Sequence, residues 1–280
     1  MLPSRRWNVH KYDVGKVLVI AGSRSFTGAA VLASDAALMG GAGAVILAAP
    51  ESLHPILASK LTEVIIRRMP ETPEGTVALA ARDLLRELCE WADTVIVGPG
   101  LGRNGETDTL VRSIIADSPR PLIVDADGLN AFVESPDLLK KHGAPLVLTP
   151  HTGELGRLMK KSASVIEQER VSSAREAARL FGGTVVLKGA PTATGSSEGR
   201  VVINSTGNSG MATIGSGDVL TGIIASLAAQ GMPPPDAAIA GVYVHGLAGD
   251  TARDRKGERS MRARDILQGV AEAFTNLEKP

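Results

Sequence analysis

Short apolar runs recur along the chain, and most of them end in glycine, proline or aspartate. Six runs share this form: KVLVIAG at 16–22, AVILAAP at 44–50, TVIVGPG at 94–100, PLIVDAD at 121–127, PLVLTPH at 145–151 and TVVLKG at 184–189. Residues that are apolar at consecutive positions, rather than at alternate ones, are typical of strands buried on both faces of a parallel sheet. The pattern therefore predicts six parallel strands.

Segments rich in alanine and leucine separate or follow these runs, and the most regular are GAAVLASDAALMGGAG, VALAARDLLRELCEWAD, PDAAIAGVYVHGLAGDTARDR and ARDILQGVAEAFTNLEK. Strands that alternate with helices predict an α/β fold, with right-handed crossovers and helices on both faces of the sheet. In segment 192–206, TAT and RVVIN flank GSSEG, which predicts an antiparallel β-hairpin at the sheet edge. No linker or repeat interrupts the pattern, so we expect one domain over residues 1–280.

The composition narrows the possible functions. The 30 basic and 30 acidic side chains balance, and aromatic residues make up 3% of the chain. Neither feature favours binding to nucleic acid or to a membrane surface. The single cysteine, Cys89, excludes an intrachain disulfide and favours a reducing compartment. No apolar run has the length of a membrane span, and the N-terminal segment lacks a signal-peptide core. We expect a cytoplasmic protein.

The segments that follow the predicted strands are rich in glycine and polar residues, unlike the buried core. These are AGSRSFTG, GPGLGRNG, DADGLN, TPHTGE and KGAP. In open parallel sheets, ligands bind beyond the carboxyl ends of the strands. We therefore expect these segments to surround one site.

The segment TGNSGMATIGSGDVLTGIIASLAAQG at 206–231 places a glycine-rich loop directly before an apolar helix, with Asp218 where they meet. Glycines allow close approach of the backbone to a ligand, and a helix start has unpaired N–H groups and a partial positive charge. Gly215, Ser216 and Gly217 therefore predict an anion site that suits phosphate. A carboxylate there repels phosphate, but it can accept a proton from a hydroxyl that attacks phosphorus.

Asp218 has a simpler interpretation as a residue that only caps the helix. Neither of two common nucleotide motifs follows the first strand. No G-x-x-x-x-G-K-[ST] segment occurs, and the loop after the first strand lacks the G-x-G-x-x-G spacing. The residues alone leave both interpretations of Asp218 open.

With these segments together, the chain resembles the ADP/ATP-dependent NAD(P)H-hydrate dehydratases of the ribokinase-like superfamily. The segments that carry the resemblance are GSRSFTGAAVLASDAALMGGAGAV, VGPGLGRN, PLIVDADGLNAF, LTPHTGEL, VVLKGA and NSTGNSGMATIGSGDVLTGIIASL. The resemblance covers nearly the whole chain. It implies a three-layer α/β/α fold, with a mostly parallel sheet, helices on both faces and an antiparallel edge hairpin.

The resemblance also implies a repair reaction. The S epimer of hydrated NADH or NADPH would lose water at the expense of ADP, giving AMP and phosphate through a phosphorylated hydrate. Hydroxide is a poor leaving group and phosphate is a good one, which explains why a kinase-like site would serve a dehydratase. Mg²⁺ is expected because the phosphoryl charge needs neutralising, although no compact ligand motif indicates its site. The family further implies a homotetramer and functional pairing with an NAD(P)H-hydrate epimerase. The choice of ADP over ATP rests on the resemblance alone.

Carried over to this chain, the family pattern makes Asp218 the base at the substrate hydroxyl. Gly215, Ser216 and Gly217 would cradle the phosphoryl group. The nucleotide would contact Gly217 and the segment KGAPT, which consists of Lys188, Gly189, Ala190, Pro191 and Thr192. Without the resemblance, Lys188 reads as a surface lysine at a strand end.

The hydrate would contact six further residues, namely Phe26, Ala37, Gly100, Gly102, His151 and Glu154. Five of them have a structural alternative: core packing for Ala37, tight turns for the two glycines, a structural role for His151 and the first turn of a helix for Glu154. Asp125 and Asp127 either orient the pocket or magnesium-bound water, or they hydrogen-bond within a turn. Asn208 and His245 are expected behind the site or in structural roles.

Three positions depart from the usual family pattern. Ile214 replaces a glycine, Thr152 replaces a proline, and Phe26 stands where tyrosine is frequent. Isoleucine disfavours positive φ, so either the loop takes another path at Ile214 or the position does not need that conformation. None of the three removes a candidate catalytic group.

Two rival functions fit much of the pattern. A small-molecule kinase of the same superfamily would share the anion loop and the aspartate, and would release a stable phosphorylated product. A non-catalytic sensor of adenylate or pyridine nucleotides would bind ligand without turnover.

Overall fold

A computed structural model of the protein describes residue 2 and residues 7–278. Its nine strands form one sheet in the order β3-β2-β1-β4-β5-β6-β7-β8-β9. The strands are β1 (Lys16–Ile20), β2 (Ala44–Pro50), β3 (Ile65–Met69), β4 (Thr94–Val97), β5 (Leu122–Val124), β6 (Leu146–Leu148), β7 (Thr184–Leu187), β8 (Ala193–Gly195) and β9 (Val201–Ile203). Strands β1 to β7 are parallel, and β7, β8 and β9 pair antiparallel.

Helices cover both faces of this sheet. They are α1 (Thr27–Met39), α2 (His54–Ala58), α3 (Arg82–Trp91), α4 (Gly105–Asp117), α5 (Asp127–Asn130), α6 (Thr152–Met159), α7 (Ala163–Gln168), α8 (Arg170–Phe181), α9 (Ser216–Ala229), α10 (Pro234–Lys256) and α11 (Ala263–Glu278). Val17 and Val19 of β1 face a core shared with α1, α9 and α10, whereas Leu18 and Ile20 face a core shared with α3, α4 and α8. Consecutive residues of β1 are therefore buried on opposite faces, as the apolar runs predict.

The chain reverses its direction of travel across the sheet between β1 and β4. From β1 it moves outward to β2 and β3, and it then returns to add β4 on the other side of β1. Such a switch point leaves a crevice beyond the carboxyl ends of the two strands, where ligands bind in open α/β sheets. The loops after β1 and β4, which contain Ser23 and Gly100, meet in this crevice, and Ser23 Oγ donates a hydrogen bond to the Gly100 carbonyl at 2.8 Å.

The predicted α/β architecture and the edge hairpin are confirmed, whereas the edge strand β3 was not predicted. Strand β3 contains Arg67 and Arg68, and most of its residues are exposed. An exposed edge strand lacks the continuous apolar character that marks the buried ones. The predicted helix ending in CEWAD is also shorter, because Leu79–Ala81 forms a 3₁₀ turn before α3. Lys279, at the end of the last predicted helix, lies outside the described residues.

No described helix combines the length and the apolar composition that crossing a membrane requires.

Candidate active site

The carboxyl ends of three strands and the first turn of α9 bring four ionisable side chains together. Lys188, after β7, lies with its Nζ 2.7 Å from Asp125 Oδ1, after β5, and 3.9 Å from Glu154 Oε2, on α6. Burial alone would lower the pKa of Lys188, but the carboxylates of Asp125, Glu154 and Asp218 outweigh burial and raise it. The ammonium group is therefore charged at neutral pH and sits among three acids.

Thr221 completes the surroundings of Asp125. Its hydroxyl donates to Asp125 Oδ2 at 3.0 Å, and the Gly217 carbonyl, 2.9 Å away, competes for the same proton. Because Lys188 occupies the other oxygen, both oxygens of the buried Asp125 carboxylate have partners. Thr221 was not identified from the sequence. It lies three residues after Asp218, on the same side of α9, so helical spacing was the available signal.

Asp218, in the first turn of α9, has a strongly perturbed carboxyl group. Burial raises its pKa from 3.8 to about 7, the nearby charges of Asp125 and Asp127 add to the rise, and Lys188 opposes it. A carboxylate whose pKa lies near neutral pH can both accept and return a proton under physiological conditions. Perturbation of this kind, in a cleft, is typical of a functional site.

The glycine loop turns sharply before α9. Gly215 has φ +92°, and a Cβ there would lie 2.5 Å from Leu32 Cδ1 and 3.8 Å from Asp218 Oδ2. The carboxylate of Asp218 therefore faces back toward the loop. Ile214, just before Gly215, does not have positive φ, and its side chain is 99% exposed. Position 214 therefore does not require the glycine that is usual in the family. The N–H groups at the start of α9 lie beside Asp218, as an anion site requires.

Ser216 and His245 connect this loop to α10. Ser216 Oγ lies 3.3 Å from His245 Nε2. Burial lowers the pKa of His245 to about 4, and the charge of Lys188 acts in the same direction, whereas Ser216 opposes it. The imidazole is therefore neutral at pH 7 and supports the loop without adding charge. The expectation that His245 lies behind the site agrees with this position.

His151 and Glu154 cap the start of α6. His151 Nδ1 accepts hydrogen bonds from the backbone N–H groups of Gly153 and Glu154 at 3.0 and 3.3 Å, and Glu154 accepts one from the backbone of His151 at 2.8 Å. This reciprocal arrangement is a capping box. Because Nδ1 accepts, a neutral imidazole carries its proton on Nε2. The ring is about half exposed, so it can still face a ligand, whereas Glu154 is buried.

Gly100 and Gly102 form the wall of the crevice after β4. Both have positive φ, and a Cβ at Gly100 would lie 2.8 Å from Phe26 Cβ. The Gly102 amide donates to Asp127 Oδ2 at 2.9 Å, and Asn130 donates to the other oxygen of Asp127 at 3.2 Å. Asp127 therefore orders the turn that carries Gly102, which is the structural alternative raised for it.

Phe26 and Ala37 occupy very different places. Phe26 precedes α1 beside Gly100, and its side chain is 54% exposed, so it is available to a ligand in the crevice. Ala37 is fully buried where α1 packs against α9, and a Cβ at Gly222 would lie 2.9 Å from the Ala37 amide nitrogen. Its side chain therefore fills the core between these helices, and the substrate contact expected at Ala37 stays a prediction.

The loop 206–211 is fastened to α10. Asn208 donates to Asp250 Oδ1 at 3.0 Å, and the Gly207 amide donates to Asp250 Oδ2 at 3.0 Å. Asn208 also accepts from the Gly210 amide at 3.1 Å. These bonds give Asn208 a structural role in the glycine-rich segment. Asp250 was not identified from the sequence, because it lies 42 residues away along the chain.

Only the first residue of segment 188–192 lies in the cluster of ionisable side chains. Lys188 points at Asp125, whereas Gly189, Ala190 and Pro191 are exposed. Thr192 donates through its hydroxyl to the Gly189 carbonyl at 3.0 Å and so closes the turn. The segment thus offers an accessible backbone next to a partly buried cation.

A resident metal centre does not fit these residues. The described part of the chain contains no group of three or more histidine, cysteine, aspartate or glutamate side chains placed to hold a metal. The oxygens of Asp125 and Asp127 already accept hydrogen bonds from the protein. Mg²⁺ commonly binds through substrate phosphates and water, with few protein ligands. The expected magnesium is therefore compatible with this cleft only as an ion that accompanies a nucleotide.

A family model described as NAD(P)H-hydrate dehydratase matches residues 17–271. The chain belongs to this family. The matched range includes every candidate residue from Phe26 to Asp218, so the resemblance seen in the sequence motifs is confirmed.

Relatives and solved structures agree with this membership. The bifunctional NAD(P)H-hydrate repair enzyme Nnr of Moorella thermoacetica is 45% identical over 278 residues, which cover 99% of this chain and 52% of the relative. The ADP/ATP-dependent NAD(P)H-hydrate dehydratase of Bacillus subtilis, co-crystallised with ATP and Mg²⁺, superposes with a TM-score of 0.83 at 27% identity, covering 99% of this chain and 95% of the other.

A ribokinase-like superfamily protein of Enterococcus faecalis gives a TM-score of 0.84 at 27% identity, with coverage of 100% and 93%. The predicted ribokinase-like fold is therefore confirmed. The chain spans about half the length of the curated relatives that it matches.

Proposed function

We propose that the protein dehydrates the S epimer of hydrated NADH and NADPH, with ADP as phosphoryl donor and AMP and phosphate as the other products. Family membership and the similarity to NAD(P)H-hydrate repair enzymes support this reaction. The observation that carries the proposal is Asp218, whose raised pKa, position at a helix start and neighbouring lysine suit a base at a phosphoryl-transfer site.

In the first step, Asp218 accepts the proton of the hydrate hydroxyl while its oxygen attacks the terminal phosphorus of ADP. The bond between that phosphorus and the bridging oxygen breaks, and AMP leaves with the bridging oxygen. The N–H groups of Gly215, Ser216 and Gly217 and the ammonium of Lys188 stabilise the negative charge on the transferred group. A Cβ at Gly217 would lie 3.1 Å from Lys188 Nζ, so the ammonium is next to this backbone.

In the second step, the carbon–oxygen bond of the phosphorylated hydrate breaks and phosphate leaves with the bonding electrons. Loss of a proton from the neighbouring carbon restores the double bond of the reduced nicotinamide. His151, half exposed at the rim, and Phe26, exposed beside Gly100, are the side chains that we assign to the hydrate. Glu154 is assigned indirectly, since it is buried and its contacts are to His151 and Lys188.

We assign the nucleotide to the exposed segment of Lys188, Gly189, Ala190, Pro191 and Thr192, with Gly217 beneath it. Magnesium would enter with the phosphates, as the co-crystallisation of the Bacillus subtilis relative with ATP and Mg²⁺ supports. No step above depends on the metal.

Recovery of reduced nicotinamide tests the reaction. Purified protein is mixed with hydrated NADH and either ADP or ATP, and the absorbance of NADH is followed, with a nucleotide-free reaction as control. We expect recovery that depends on nucleotide and yields AMP and phosphate when ADP is used. A stable phosphorylated product without NADH recovery would instead show a small-molecule kinase, and nucleotide binding without turnover would show a sensor.

The resemblance also leads us to propose one domain over residues 1–280, a homotetramer and a cytoplasmic location. Functional pairing with an NAD(P)H-hydrate epimerase is supported by the length and the bifunctional description of the relatives. Light scattering of the purified protein tests the tetramer directly.

A further inference from the structure

The segment 188–192 is an exposed turn, yet it must hold Lys188 in place. Gly189, Ala190 and Pro191 have little burial to order them. The Lys188 amide donates to the Pro150 carbonyl at 2.8 Å, which fixes the peptide on its N-terminal side. A second anchor is needed on the C-terminal side, because the Lys188 carbonyl begins the exposed part of the turn.

Arg170, the first residue of α8, supplies this anchor. Its Nη1 and Nη2 groups donate to the Lys188 carbonyl at 3.3 and 3.2 Å, and Nη2 also lies 3.2 Å from Glu167 Oε2. The residue is 9% exposed, so the guanidinium makes these bonds away from bulk water. Hydrogen bonds from a charged donor are stronger than neutral ones, and they strengthen further where water is excluded.

Gly189 fits against the same guanidinium. It has φ +151°, and a Cβ at this position would lie 1.6 Å from Arg170 Nη2. A side chain at Gly189 would therefore displace the arginine from its bonding position. The close approach shows that Arg170 and the backbone of Gly189 adopt their conformations together.

The two anchors also fix the backbone from which the Lys188 side chain extends into the cluster of charges. With the Lys188 amide bound to Pro150 and its carbonyl bound to Arg170, both peptide groups that flank the Lys188 Cα are held. The side chain then extends from a fixed point to Asp125, 2.7 Å from Nζ. Loss of the second anchor would free the turn that offers its backbone to the nucleotide.

We propose that Arg170 is a positioning residue for adenine nucleotide binding, which acts by holding the Lys188 carbonyl and the Gly189 backbone in the ligand-competent conformation. The proposal rests on the assignment of segment 188–192 to the nucleotide. Arg170 acts through the backbone of the turn, whereas the Lys188 ammonium is held separately by its ion pair with Asp125. The effect of Arg170 therefore belongs to nucleotide affinity rather than to turnover at saturating nucleotide.

Arg175 offers a matched control on the same helix. Its Nε donates to the Gly199 carbonyl at 3.0 Å, so it also binds a backbone carbonyl, but in the turn of the edge hairpin. The experiment compares Arg170→Met and Arg170→Lys with Arg175→Met and Arg175→Lys. For each folded variant, ADP affinity is measured by titration calorimetry, and KM for ADP, KM for the hydrate and kcat are measured by NADH recovery.

We expect Arg170→Met to raise the Kd and KM for ADP by about tenfold or more, the loss of a charge-assisted hydrogen bond. The Arg170→Lys variant should fall between Arg170→Met and the natural chain, because an ammonium group keeps the charge but not the paired donors. In the Arg170 variants, KM for the hydrate and kcat should stay within about twofold of the values of the natural chain. In the Arg175 variants, the Kd, both KM values and kcat should all stay within that range.

Unchanged ADP affinity in Arg170→Met would overturn the proposal, and so would equal losses in the Arg170→Met and Arg175→Met variants, which indicate general destabilisation. If Arg170→Met does not fold, Arg170→Lys decides: a Kd equal to that of the natural chain overturns the proposal. Failure of the natural chain to bind ADP at all is a different result, because it refutes the proposed function itself.

Discussion

Replacing Asp218 with asparagine should remove activity and stabilise the protein above neutral pH. Asparagine keeps the shape of the carboxyl group, but it can neither accept the proton nor carry charge. The rate should fall on the order of a thousand-fold or more, which is typical of the loss of a general base. The stability gain arises because burial and the charges of Asp125 and Asp127 disfavour ionised Asp218.

The raised pKa sets the size and sign of this gain. In the folded protein the pKa of Asp218 is about 7, against 3.8 without the protein environment. The folded state therefore binds the proton more tightly, and the stability that this provides is present at low pH and is lost as pH rises from about 4 to 7. The difference in pKa corresponds to at most about 4 kcal/mol, and partial solvent access at Asp218 reduces the expected gain to about 1–3 kcal/mol.

Urea unfolding of the natural chain and of Asp218→Asn, followed by circular dichroism from about pH 5 to about pH 8.5, measures the effect. The difference between the two free energies of unfolding isolates Asp218, because the other groups titrate in both proteins. We expect the difference to grow up to about pH 7 and then to level off. The activity of the natural chain should fall as pH drops below about 7, since the base works in its ionised form.

Two results would refute this reasoning. If Asp218→Asn is less stable than the natural chain at every pH, the ionised carboxylate is not disfavoured in the fold. If the variant retains the natural rate of NADH recovery, Asp218 is not the base.

Four further predictions concern Thr221, two glycines and Cys89. Thr221→Val should lower the free energy of unfolding by about 1–3 kcal/mol and reduce activity, because it removes a hydrogen bond to buried Asp125; Thr221→Ser should preserve both in urea unfolding and in the NADH assay, and equal losses in the two variants would contradict the role of the hydroxyl. Gly98→Ala should cost more than about 3 kcal/mol or abolish folding, since its Cβ would lie 1.8 Å from the Asp125 carbonyl oxygen. Gly28→Ala, an exposed helix position with nothing within 4 Å, should stabilise by about 0.5–1 kcal/mol in thermal unfolding, and the same sign in both glycine variants would count against the packing argument. Cys89 should resist iodoacetamide until urea unfolds the chain, because burial raises the pKa of its thiol to about 12; rapid native-state labelling, measured by mass spectrometry, would show otherwise.

The buried strands were predictable because their signal is local. A strand covered on both faces must be apolar at consecutive positions, and β1, β2 and β4 satisfy this requirement apart from Lys16 and Thr94, which begin β1 and β4. Strand β3 lies at the edge and carries two arginines, so its identity depends on pairing with β2 rather than on its own composition. The edge hairpin was predictable from its turn residues.

The candidate site was predictable to the extent that its residues stand at strand ends and at the start of a helix. Asp218, Lys188 and Asp125 each follow a local pattern of this kind, and the topology then brings them together. Arg170, Thr221 and Ala37 did not follow such a pattern. Arg170 acts on a carbonyl 18 residues away, and Ala37 looks the same in sequence whether it lines a pocket or fills the core.

By itself, the sequence determined the class of fold, the position of the glycine-rich loop before α9 and the identity of the charged groups, because backbone conformation and burial leave periodic and local marks on the chain. Only the tertiary structure decided which charges face each other. The pKa of Asp218 depends on Asp125, Asp127 and Lys188, which are distant along the chain, and electrostatic interaction follows distance in space, through a medium whose polarity is set by packing.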